Sequence, residues 1–339
     1  MKELNALKAL LATPKKIVIT THANPDADAL GSSLGLYHFL KNRGHEVKVV
    51  TPTAYPQFLH WMEGNEEVVV YSKEKKDQAQ QLVANAELIC CLDFSGLKRI
   101  KDLGPMVGSA AGKKLLVDHH LNPEEFADYA LWDKTAAATA ELIYDLILLL
   151  GDQSEITVGM AEALYAGIMT DTGSFRHNST SAKIHRTVAE LMDIGVDVNK
   201  VSRLIYDTNS LNRLRFIGYA LMEKLMVDQE NRVAYFVINA EEHQRFHLKS
   251  GDTEGLVNYA LSIQGIEIAA IIMERDEEVK MSFRSVGDHA VNDFAAEHFS
   301  GGGHKNAAGG ISDLGLEATV EKFKSLIPEL QQNHKEAIK

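Results

Sequence analysis

Short, nearly unbroken apolar runs alternate along the first half of the chain with stretches whose apolar positions recur every three or four residues. The runs Lys16-Ile17-Val18-Ile19-Thr20-Thr21, Glu46 to Thr51, Glu67 to Tyr71, Leu88 to Leu92 and Lys113 to Val117 predict strands. The stretches Met1 to Leu11, Leu34 to Leu40, Lys73 to Ala84, Ala136 to Leu150, Glu155 to Met169 and Ser181 to Ile194 predict helices. Strands that are apolar at every position are buried on both faces, so this alternation predicts an α/β domain: a mostly parallel sheet with helices on both sides. From Val198 to about Val227, leucines and isoleucines at 204, 205, 211, 214, 217, 221 and 225 describe one or two helices. Strand-like and helix-like stretches then follow at 233–238, 254–263, 266–273, 279–285 and 290–298, with a last amphipathic helix. The expected organisation is a catalytic domain over 1–195, a helical connector over 196–230 and a smaller α/β substrate-binding domain over 231–339.

Composition sharpens this only in places. At 339 residues and 45% hydrophobic content, the chain can bury two cores. Its two cysteines, Cys90 and Cys91, are neighbours inside an apolar run, which predicts packing residues in a reducing compartment and a cytoplasmic protein. Charges interrupt the first eight residues before a signal-length apolar segment develops, and Leu146 to Leu150 is far too short to span a bilayer, so no membrane association is expected. A net charge of -12 argues against a grip on long duplex nucleic acid, which depends on lysine and arginine neutralising phosphates. Small phosphorylated substrates remain compatible, because cations or a few arginines can reverse the field within one cleft.

The candidate chemistry lies where the regular elements stop. The first strand runs into His22-Ala23-Asn24-Pro25-Asp26-Ala27-Asp28. Another ends in Asp93-Phe94-Ser95-Gly96, another in Asp118-His119-His120, and a helix ends in Thr170-Asp171-Thr172-Gly173. Open α/β sheets bind ligands outside the carboxyl ends of their strands, so these are the right places for a site. One acid would suffice to cap the helix after Pro25, and Asp93 alone could be a turn residue; a histidine with two acids exceeds what capping needs. Four acids and two histidines suffice for two divalent cations sharing carboxylates, an arrangement suited to phosphoester hydrolysis. Imidazole in the set favours Mn²⁺, with Mg²⁺ or Co²⁺ as alternatives, and the absence of thiolates argues against structural zinc.

These motifs, closed by Gly301-Gly302-Gly303-His304 and Ala307-Ala308-Gly309, resemble in order those of the DHH/DHHA1 phosphoesterases, over about residues 15 to 325. Length and the lack of further domains resemble most the group of nanoRNases (oligoribonucleases) that are also pAp phosphatases. The resemblance implies that His22 and Asp26 hold one Mn²⁺, that Asp28 and His119 hold the other, and that Asp93 and Asp171 touch or bridge both. It implies that His120 lies beside the scissile phosphate and that Asp118 orients an imidazole. In the second domain it implies substrate contacts from Gly301, Gly302, Gly303, His304 and Arg284; for Arg284 a solvated strand position is the competing reading. The expected partners are short RNA oligonucleotides or small phosphorylated nucleotides, and a homodimer is compatible with them. Rival readings are a phosphodiesterase of cyclic or linear dinucleotides (pGpG, pApA, c-di-AMP), an exopolyphosphatase-like enzyme and a non-catalytic nucleotide-binding sensor.

Overall fold

The computed structural model describes residues 1–249, 251–275 and 278–336. The chain divides into two compact units, Met1–Thr208 and Asn209–Lys339. In the first, the order is α1 (Leu4–Leu10), β1 (Lys16–Thr21), α2 (Ala27–Asn42), β2 (Glu46–Thr51), β3 (Val69–Val70), α3 (Lys76–Asn85), β4 (Leu88–Leu92), α4 (Leu103–Ser109), β5 (Lys113–Asp118) and β6 (Tyr129–Trp132). Helices α5 (Thr139–Leu150), α6 (Val158–Asp171), α7 (Ala182–Ile194) and α8 (Val198–Tyr206) complete it.

The six strands are parallel in the order β3-β2-β1-β4-β5-β6. Alternate residues of each central strand feed different cores. Ile19, Cys90 and Val117 pack with α2, α5 and α6, whereas Val18, Cys91 and Leu116 pack with α3 and α4. This two-sided burial is why β1, β4 and β5 are apolar at nearly every position. It also leaves both cysteines as fully buried free thiols, and burial pushes Cys91 up to about 12. The winding direction reverses between β1 and β4, and at such a switch point the loops leaving the two strands diverge and open a crevice.

Helix α2 is buried nearly all round because it packs on α6. Gly31 lies within α2, where an added Cβ would stand 2.3 Å from the Ala163 carbonyl oxygen. The glycine is there for helix contact. The expected strand over 67–71 shrinks to Val69–Val70, and β6 has no counterpart in the sequence reading.

The second unit contains α9 (Leu211–Tyr219), β7 (Leu225–Asp228), β8 (Val233–Ile238), α10 (Ala240–Arg245), α11 (Leu256–Leu261), β9 (Ile268–Arg275), β10 (Glu278–Ser285), α12 (Val291–His298), β11 (Gly302–His304), β12 (Ala307–Ser312) and α13 (Leu316–Glu336). Its sheet runs β11-β12-β10-β9-β8-β7, parallel only between β8 and β9. One face packs on α12 and α13 through Phe294 and Phe323, the other on α9 and α11 through Phe216 and Val257. Within 196–230, α8 belongs to the first unit, while α9 and β7 belong to the second. Among the described residues, no helix is long and apolar enough to cross a membrane.

Candidate metal centre

The loop after β1 is pinned on both sides: Ala23 N–H donates to the Arg99 carbonyl at 2.9 Å, and Asn24 N–H donates to Thr53 Oγ1 at 2.6 Å. Asp26 has two jobs. Its Oδ1 accepts from Ala29 N–H at 2.9 Å and caps α2, while Oδ2 lies 3.7 Å from His22 Nε2. At the end of β4, Asp93 takes a left-handed backbone conformation, φ 65°, which is strained for a residue with a Cβ. Strain of this kind persists only where surroundings enforce it, and it clusters at functional sites. Here the Asp93 N–H still donates to the Val117 carbonyl at 3.0 Å, and the carboxylate faces the imidazoles of His22, His119 and His120.

Among the described residues of the first unit, three donor groups result, one of them Asp93, Asp118 and His120, and the other two gather the expected metal ligands. His22, Asp26 and Asp93 form one; Asp28, His119 and Asp171 form the other. Asp93 reaches both histidines, with Oδ2 3.4 Å from His22 Nε2 and Oδ1 3.5 Å from His119 Nε2. His119 Nε2 also lies 3.3 Å from Asp171 Oδ2 and 3.9 Å from Asp28 Oδ2. Asp171 therefore meets the second group, on the last residue of α6 rather than in a loop beyond it. Asp28, Asp93 and the two imidazoles are buried, whereas the Asp26 and Asp171 side chains are 48% and 29% exposed, so the centre opens to solvent on their side.

The donor set fits divalent cations. His22 Nδ1 lies 2.9 Å from the Ala23 carbonyl oxygen and His119 Nδ1 lies 3.2 Å from that of Ala136. A proton on each Nδ1 donates to these carbonyls, which leaves the Nε2 lone pairs aimed at the carboxylates, as in protein metal sites. The Nε2-to-carboxylate separations of 3.3–3.9 Å exceed ordinary hydrogen-bond lengths. They approach the spacing of roughly 3–3.5 Å between adjacent ligands that each stand about 2.1 Å from one cation.

Electrostatics agrees. Burial, reinforced by Asp93 and Asp171, raises Asp28 well above the usual carboxylate range. Burial, opposed by His119 and helped by Asp93 and Asp26, pushes Asp171 up to about 7. Asp93 is held well below its ordinary value, against its burial, by the neighbouring His119 and His22. Against its own burial, His119 is lifted to about 11 by Asp93 and by the charges of Asp171 and Asp28. Protons here stand in for positive charge that a cation would supply.

Helix α5 supports the carboxylates. Its first backbone N–H groups, Thr139 and Ala140, donate to Asp28 at 2.7 and 2.8 Å, and the Thr139 hydroxyl donates to Asp93 Oδ1 at 2.9 Å. Glu141, in turn, accepts from Ala137 N–H at 2.7 Å and ties down the segment whose carbonyl holds His119. Sequence reasoning misses Thr139 because a threonine among alanines carries no periodic or spacing signal; it could be noticed only as a helix-start residue.

Asp118, at the end of β5, is fully buried and lies 2.8 Å from His120 Nδ1, which donates to it. The His120 carbonyl accepts from the Trp132 indole N–H at 2.7 Å. In the second unit, Arg284 on β10 and His304 on β11 both stand in register with Ala307 of β12, so they share one row and one face of the sheet. The glycine run is the first strand of a hairpin. A Cβ at Gly301 would lie 2.0 Å from the Gly309 carbonyl oxygen and one at Gly303 2.4 Å from that of Ala307, whereas Gly302 faces open space. Close strand contact thus accounts for 301 and 303, and Gly302 is the position packing does not require.

A doubly wound sheet with an aspartate–histidine centre at its switch point is the architecture of an α/β enzyme. The chain belongs to the DHH family: the family's N-terminal domain matches residues 16–168 and the DHHA1 domain matches residues 230–336. It is 32% identical to the bifunctional oligoribonuclease and PAP phosphatase NrnA of Thermus thermophilus, over 95% of this chain and 92% of that protein. The protein of the same name from Bacillus subtilis is 26% identical, over 86% of this chain and 88% of that one. The crystal structure of an exopolyphosphatase-related protein from Bacteroides fragilis superposes with a TM-score of 0.92 at 38% identity, over 97% of this chain and 96% of that one. The chain is accordingly a phosphoric ester hydrolase.

Proposed function

We propose that the protein hydrolyses short oligoribonucleotides and 3'-phosphoadenosine 5'-phosphate (pAp) with two divalent cations, Mn²⁺ preferred, held at the end of the parallel sheet. The observation that carries this reading is the shared carboxylate: Asp93 Oδ2 faces His22 and Oδ1 faces His119, with His120 Nδ1 3.6 Å from the same Oδ1, so a single side chain serves both donor groups. His22 and Asp26 would hold one ion, Asp28, His119 and Asp171 the other. When bound, such ions supply Lewis acidity toward the phosphoryl oxygens and activate water at neutral pH.

The rest of the work falls to the chain. Asp118 fixes the orientation of His120 through Nδ1, and that ring would steady developing charge on the phosphate and deliver a proton to the leaving oxygen. In the second unit, Arg284 and His304 share one face of the sheet, where they would offer hydrogen-bond donors to a phosphate. The acidic chain offers a long strand little to hold, which favours mono- and oligonucleotides, and the two relatives named for oligoribonuclease and PAP phosphatase activities lie in the same direction. With two buried thiols and no spanning helix among the described residues, a cytoplasmic site of action fits.

Assaying pAp, pGpG, RNAs of two to about ten nucleotides, pyrophosphate and polyphosphate with Mn²⁺ tests the reading. Turnover of pAp and the shortest RNAs, falling with length, is the expected pattern; activity confined to pyrophosphate or polyphosphate would overturn it. Thr139→Val, which removes the hydroxyl beside Asp93 at nearly constant shape, should weaken Mn²⁺ binding by about 10–100-fold in titration calorimetry. Thr139→Ser should bind like the parent, and equal affinity in all three proteins would show that the hydroxyl does not position Asp93.

A further inference from the structure

Trp132 ends β6 at the edge of the parallel sheet, in register with Asp118. Its neighbours Ala130 and Leu131 pack against the two cores of the first unit, but Trp132 joins neither and is 39% exposed. The indole is nonetheless held in place, because its N–H donates to the carbonyl of His120 at 2.7 Å. Among the described residues it stacks on no other ring, and Leu121, which follows His120, is 40% exposed as well. A large aromatic surface, anchored by its edge and left open beside the histidine assigned to the phosphate, is unusual for a packing residue.

We infer that the Trp132 indole is a stacking platform for a nucleobase, and thus that the centre takes nucleotides with an unpaired base next to the phosphate being cleaved. The inference rests on the phosphoester reading of His120 proposed above. Every base has a π-face, so such a platform is tolerant of sequence and contributes affinity without naming a base. It also favours single-stranded or mononucleotide substrates, because a base paired in a duplex must first be unpaired and unstacked, at an energetic cost, before it can reach an indole at the sheet edge.

The chain has only two tryptophans, Trp61 and Trp132, so Trp61→Phe leaves Trp132 as the sole indole reporter. Adenosine 5'-monophosphate should quench this fluorescence saturably, and ribose 5-phosphate should not. Trp132→Ala should raise KM for a dinucleotide on the order of 10-fold or more with kcat little changed, while a dinucleotide carrying an abasic residue should be cleaved equally by parent and variant. Trp132→Phe keeps a ring but not the N–H, and should stay within a few-fold of the parent KM. If Trp132→Phe loses as much as Trp132→Ala, or if both lose kcat on the abasic substrate too, the indole only braces His120 and the platform is refuted. Absent quenching in a protein that hydrolyses dinucleotides would also refute it. Loss of all phosphoester turnover in the parent would instead sink the functional reading, and nucleotide quenching would still report on the platform by itself.

Discussion

Asp93→Asn is expected to lower phosphate release from pAp on the order of 10³-fold, equivalent to about 4 kcal/mol of lost transition-state stabilisation. The size follows from position. Asp93 is the carboxylate that faces both His22 and His119, so the amide takes the charge from both donor groups and leaves a single acceptor oxygen where His22, His119 and the Thr139 hydroxyl had two. His119→Ala should approach the same loss, because Nε2 of that ring lies within 3.9 Å of three carboxylates. Asp26→Ala should cost less, since its side chain is half-exposed and reaches only one histidine, and loss of the α2 cap adds a destabilisation of about 1 kcal/mol. Circular dichroism and steady-state kinetics on the purified variants check the order. A folded Asp93→Asn protein that turns over pAp like the parent would remove the basis for assigning the centre to catalysis.

Gly31→Val should lower the unfolding free energy of the first unit by about 3 kcal/mol or more and depress its thermal transition accordingly. No rotamer rescues the substitution, because the first atom added already stands 2.3 Å from the Ala163 carbonyl oxygen, and backbone on both sides must part. The damage reaches the centre: Asp28 sits one turn before Gly31 on α2, and Gly167 of α6 packs against Asp28 itself. Gly218, on an exposed stretch of α9 with open space around its Cβ position, is the control. Gly218→Ala should stabilise by up to about 1 kcal/mol through helix propensity alone. Calorimetric melting of both variants distinguishes a steric role from a conformational one; a Gly31→Val protein that melts with the parent would mean α2 and α6 can separate freely.

Much of this was legible before any coordinates, and the reason is physical. Strands β1, β4 and β5 are buried on both faces, so they read as apolar runs, and the acids and imidazoles that end them stand out. The fold class and the DHH-type centre could therefore be expected from Thr20 to Asp28, Leu92-Asp93 and Val117 to His120. Strand β6 was not legible, because Tyr129–Trp132 has only four residues, too few for a period to show. The role of Gly31 was not legible, because its cause is a carbonyl on another helix, distant in sequence. Asp171 was expected past the end of its helix, but α6 continues through it, with the Thr170 and Thr172 hydroxyls bonding back to carbonyls of the preceding turn. Thr139 and the Ala136 carbonyl act through contacts distant in sequence, which leave no local signature. The glycines at 301 to 303 were expected to contact substrate; at 301 and 303 the structure shows a neighbouring strand that leaves no room for a Cβ.

Stripping the protein with a chelator and returning Mn²⁺ in measured steps, while phosphate release from pAp is followed, bears most directly on the account. Activity should be absent in the stripped protein and climb to a plateau as the second equivalent per chain is added. Undiminished turnover without metal, or a plateau at one equivalent, would contradict a centre built on a carboxylate shared between two ions.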